Sequence, residues 1–183
     1  MRILLAFALF ISAVFAMPQK PIPPKHTQMI VITSDDYSSS DAKLQRYTFA
    51  DSKWQKIGKV LDIKIGKNGM GWGLGLHKTP SNATIIKKEG DGKSPIGIFA
   101  LGEAFGYEPY EVKYPYNIMH EYHHCVDDGK SRFYNQIINS NMKMTKDYVS
   151  FENMKFPANY YKYGIVVKHN PNNIPGMGSC IFM

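Results

Sequence analysis

Several features are scarce or missing in this 183-residue chain, and each absence narrows what it can do. Cysteine occurs twice, at Cys125 and Cys180, so the only question of pairing is whether these two thiols are bonded or free. No uninterrupted run of about 20 apolar residues is present, which leaves no stretch that spans a bilayer comfortably. Positive residues are scattered singly, with no basic run and no RNA-type aromatic motif, so the charge does not point to nucleic acid. The glycine-rich stretch Gly66–Gly75 lacks the Gly-Lys-Ser/Thr triplet and the helix that a phosphate loop needs. It fits a β-connection in which backbones approach closely. No internal repeat is visible.

At the N-terminus, Met1 and Arg2 precede the apolar run Ile3–Phe15, and Val14-Phe15-Ala16 offers small residues suited to cleavage. Residues 1–16 read as a signal peptide, with an uncleaved anchor as the alternative. Residues 17–28 contain Pro18, Pro21, Pro23 and Pro24 and read as an extended tether. The domain is expected over 29–183. Cleavage would remove one Arg, leaving 21 basic against 15 acidic residues, a charge of +6 that favours anionic partners such as peptidoglycan carboxylates. An exported chain passes through an oxidising compartment, where Cys125 and Cys180 more often form a disulfide than remain free.

Short β-branched and alternating runs predict strands at Met29–Thr33, Lys43–Phe49, Lys53–Ile65, Ile96–Leu101 and Tyr163–Lys168, with another beginning at Gly178. Asp91-Gly92-Lys93-Ser94-Pro95 is a turn by its own chemistry. The segment Ser131–Ile138 is the one patch with helical spacing, with Ser131 placed to cap it. His120-Glu121-Tyr122-His123-His124 contains the string of zinc peptidases, but that chemistry needs His120 and His124 one helical turn apart. Flanking proline and glycine leave too little room for such a helix, and no third ligand follows at a familiar spacing. The segment is expected as a strand, with no metal site. Asp127-Asp128 is expected as a turn.

Four segments resemble, in order, the L,D-transpeptidase catalytic domain, the YkuD-like family of bacterial cell-wall enzymes. They are Gly66–His77 (GKNGMGWGLGLH), Lys88–Tyr107 (KEGDGKSPIGIFALGEAFGY), Cys125–Asn135 (CVDDGKSRFYN) and Gly164–Phe182. The resemblance implies a mostly β, sandwich-like fold with one or two short helices, its C-terminal strands missing. It implies cysteine acyl-enzyme chemistry on peptidoglycan stem peptides, at the bond between a diaminopimelate-type residue and D-alanine, without metal or organic cofactor. Its location would be the periplasm or cell envelope, with no stable membrane span once the signal peptide is removed.

In the branch most resembled, a Gly-Ser-x-Ile-Phe strand leads into the catalytic histidine, and the nucleophile follows in a Gly-Cys turn. Here Gly178-Ser179-Cys180-Ile181-Phe182-Met183 corresponds to that strand. The expectation is that neither catalytic residue lies within these residues and that the chain is inactive alone. An alternative keeps the enzyme intact, with Cys180 as nucleophile and His169 as base. Another is a non-catalytic cell-wall binding module. Substrate contacts are expected from His77, Asp91, Lys93 and Asn170.

Overall fold

The computed structural model describes residues 25–183; the signal peptide and most of the tether expected from the sequence lie outside them. The first three strands, β1 (Gln28–Thr33), β2 (Asp41–Ala50) and β3 (Lys53–Lys64), form an antiparallel meander. A two-residue turn joins β2 to β3, with Asp51 at φ 51° and Ser52 at φ 61°. Two successive left-handed residues give the twist that a tight hairpin requires. Midway, the register shifts between Leu44 and Arg46, and the Gln45 amide fills the irregularity by donating to the Ile57 carbonyl at 3.0 Å. Cross-strand rows Ile32, Leu44, Leu61 and Ile30, Arg46, Ile57 share one face, where Ile32 and Leu61 are exposed.

Short strands follow. β4 (Met70–Trp72) and β5 (Ser94–Ile96) pair in parallel, bringing the glycine-rich run against the Asp91 turn. The expected strand from Ile96 to Leu101 is thus divided: Gly97, at φ 145°, breaks it, and β6 (Leu101–Gly106) takes up the extended path afterwards. β6 is the centre of a sheet with β7 (Tyr116–Ile118) on one side and β11 (Tyr163–Val167) on the other. Residues 181–183 line the far side of β11, where Ile165 and Met183 exchange backbone hydrogen bonds at 2.9 and 3.0 Å. A third sheet has β8 (His123–Val126) between β9 (Ile137–Asn139) and β10 (Phe151–Asn153).

The chain is mostly β, in several small sheets without a closed barrel. One core joins the last two sheets: Phe105 of β6, Cys125 of β8, Met119 and Met154, covered by Val166 and Phe182. Val126, Ile138 and Tyr148 form a second cluster.

The expected helix at Ser131–Ile138 is not formed, and no helix occurs among the described residues. Ser131 does act locally, its hydroxyl accepting from the Phe133 amide at 3.0 Å, but the segment makes only a turn. Asn135 enters the left-handed region at φ 61° and ends it, so Ile137 and Ile138 continue as β9 against β8. Sheet pairing overrides a period too short to distinguish helix from turn. The expected strand over His120–Cys125 is also shortened. Glu121 and Tyr122 turn, the His123 amide bonding the His120 carbonyl at 2.9 Å, and the strand starts only at His123.

Candidate functional site

All four resembling segments meet at one buried junction. Its floor is the chain after β11, where His169 is 2% exposed and Asn170 fully buried. Asn170, at φ 50°, donates from Nδ2 to the carbonyls of Ile174 (2.9 Å) and Gly178 (3.1 Å) and accepts from the Ile174 amide at 3.0 Å. One side chain therefore folds the Pro171–Gly178 loop upon itself. Its own amide bonds the Leu74 carbonyl at 2.8 Å, tying in the glycine-rich segment.

Asn135 joins the third segment to this loop. Its Nδ2 lies within 3.2 Å of the His169 carbonyl and 3.1 Å of both the Asn170 carbonyl and Asn173 Oδ1, while its Oδ1 accepts from the Cys180 amide at 3.0 Å. Only a short amide side chain both tolerates the left-handed backbone and supplies donor and acceptor together. Beside it, Tyr134, 2% exposed, donates to the Glu89 carboxylate, and the Ser179 hydroxyl donates to the same carboxylate at 2.7 Å. Burial, with the neighbouring Glu89 charge, raises the Tyr134 phenol well above its ordinary value. Cys180 is bonded to Cys125, with Cα atoms 6.0 Å apart.

His169 is held at both ring nitrogens. The Leu74 amide donates to Nδ1 at 3.3 Å, so the proton sits on Nε2, which donates to the Met177 carbonyl at 2.8 Å. Gly73 makes room for the ring, since a Cβ there would come within 2.7 Å of Nδ1. Burial holds the His169 pKa below its ordinary value, against the opposing pull of the Met177 carbonyl. A proton added at Nδ1 would face the Leu74 N–H.

The sign of the pH effect follows. A histidine depressed on folding contributes stability fully above its unfolded pKa of about 6.5, and that contribution is lost as pH falls through 6.5 toward the folded value. Burial likewise lowers His123 and His124, which add in the same direction. The urea midpoint is expected to fall between pH 7.5 and 5.5, and to fall less in His169→Gln. Parallel curves for the two proteins would show that His169 does not titrate with folding.

The structure does not bring Cys180 and His169 together as nucleophile and base. The sulfur is committed to Cys125, no free cysteine exists in the chain, and neither imidazole nitrogen is left to take a proton. Asp91 and Lys93 hold their turn. Asp91 pairs with Lys87, which is 4% exposed, at 2.6 Å, and accepts from the Lys88 and Lys93 amides at 2.7 and 2.9 Å. Burial opposes ionisation of Asp91, but these bonds outweigh it and keep the carboxyl below its usual range. Lys93 Nζ reaches back to the Asn68 carbonyl at 2.5 Å.

The histidines of the zinc-peptidase string are engaged separately. His123 Nδ1 accepts from the His120 amide at 2.9 Å, and His124 stacks on Phe151 with ring centroids 3.8 Å apart. Among the described residues no three His, Cys, Asp or Glu side chains are grouped to hold a metal ion. Asp128 accepts from the Lys130 and Val149 amides, both at 3.0 Å, as a turn residue does.

Sequence reasoning missed Glu89, Tyr134, Asn135 and Ser179. Glu89 sits in the most distinctive string, and an acidic residue there was the available signal; the others carry no pattern of their own. Comparisons with protein-family models, curated proteins and solved structures return no match.

Proposed function

We propose that this chain is a peptidoglycan-binding domain of the L,D-transpeptidase type, with a sandwich-like β scaffold, that does not perform thiol acyl transfer by itself. The observation that supports it is the convergence of the four resembling segments, up to 95 residues apart, on the His169–Asn170 junction. Segments that resemble one family in order and also pack on one another behave as a unit of function, not as scattered likeness. A surface with seven more basic than acidic residues suits the carboxylates of stem peptides.

Acyl transfer requires an activated nucleophile and a base within hydrogen-bond reach. With Cys180 bonded to Cys125 and His169 neutral and saturated, this chain supplies neither. Incubation with disaccharide tetrapeptides should therefore release no D-alanine and form no cross-linked dimer, while isolated sacculi should retain the protein in a salt-sensitive manner. D-Alanine release that Cys180→Ser abolishes would overturn the inactive assignment. Failure to bind sacculi at low salt would overturn the peptidoglycan assignment.

A further inference from the structure

A cleft of about 260 Å³ lies beside the junction, on the side away from the disulfide-bearing Cys180 loop strand and next to His77. Leu74, Pro171 and Ile174 form its apolar walls, Thr79 and Asn172 its polar lining, and His77 is the only ionisable residue among those that border it. The ring of His77 is locked from several directions. Trp72 and Phe99 lie with centroids 5.8 and 5.6 Å away, and Gly97 packs flat against it, where any Cβ would fall inside the imidazole. The Ile98 amide donates to Nδ1 at 3.1 Å, so Nδ1 carries the lone pair and Nε2 the proton. That Nε2–H has no partner. It is one of two buried side-chain polar atoms left unsatisfied among the described residues.

A fixed, unmet donor at the border of a cleft lacking other charge is the complement of an uncharged acceptor. We infer that this cleft binds an uncharged amide through its carbonyl oxygen, with His77 Nε2–H as donor and the walls of Leu74 and Ile174 taking a small alkyl side chain. A carboxylate is disfavoured, since no cation borders the cleft to replace its hydration. The ligand's identity as a stem-peptide amide rests on the function proposed above; the site does not.

The test uses ¹⁵N-histidine-labelled protein, observing the His77 Nε2–H resonance by NMR. It is titrated separately with N-acetyl-alanine methylamide and with disaccharide tetrapeptide. Both should shift the signal saturably. Thr79→Trp, which fills the cleft without touching the ring, should weaken both at least tenfold, and His77→Phe should weaken both about tenfold through loss of one hydrogen bond. A shift with the methylamide alone supports the site and removes the stem peptide as its ligand. A shift with the tetrapeptide alone overturns the uncharged-amide assignment. No shift with either, or affinity unchanged in Thr79→Trp, overturns the site.

Discussion

Reduction of the Cys125–Cys180 bond is expected to lower the unfolding free energy by about 4 kcal/mol, the value for a cross-link across 55 residues that restricts the unfolded chain. The effect is large because of what the bond joins. Cys125 is 2% exposed in the core with Phe105, Met119 and Met154, whereas Cys180 belongs to the segment that runs on to Phe182 beside β11. Without the bond, that segment is held by a few backbone hydrogen bonds, the Asn135–Cys180 contact and the Phe182 ring against Phe105. Urea midpoints with and without reductant, and for a Cys125→Ala/Cys180→Ala double variant, give the measurement. A change under about 1 kcal/mol would mean that the two halves of the core are joined well enough by packing alone.

Asn135→Ala is expected to cost about 4 kcal/mol, for two reasons that can be separated. Truncation strands the Cys180 amide and leaves the His169 and Asn170 carbonyls short of a donor inside the junction, at about 1–3 kcal/mol for each group left unsatisfied. Alanine also fits the left-handed backbone poorly, adding about 1–2 kcal/mol. Asn135→Gly removes the first contribution's partners but not the backbone fit, so it should be milder by about 1 kcal/mol. Denaturant midpoints rank the three proteins, and hydrogen exchange at the Cys180 amide should accelerate in both variants. Equal stability of Asn135→Ala and wild type would show that the 171–178 loop holds its shape without this side chain.

How much of this was legible beforehand depended on whether the signal was local. Strands β1 to β3 follow from alternating residues in runs long enough to read, and the Asp91 turn follows from its own side-chain chemistry. The segment Ser131–Ile138 misled because eight residues with two apolar pairs fit a helix as well as a turn entering a strand, and β8 decided between them. His169 could be suspected from its place beside a glycine- and proline-rich loop, but not that both its nitrogens would be satisfied by backbone from Leu74 and Met177. Asn135 and Glu89 were unreadable as partners, since their contacts lie 45 residues away in sequence. No periodicity encodes a hydrogen bond across such a distance.

The same wide spacing governs how the junction comes into being. Leu74 waits for His169, and Glu89 for Ser179, across 95 and 90 intervening steps of chain. Contacts of such high order are rewarded only after most of the polypeptide has been gathered, which places proteins dominated by them among the slower folders, in milliseconds to seconds. During that interval the hairpins of the first meander are complete while nothing yet organises the rest. The molecule thus matures from its N-terminal strands toward its last loop.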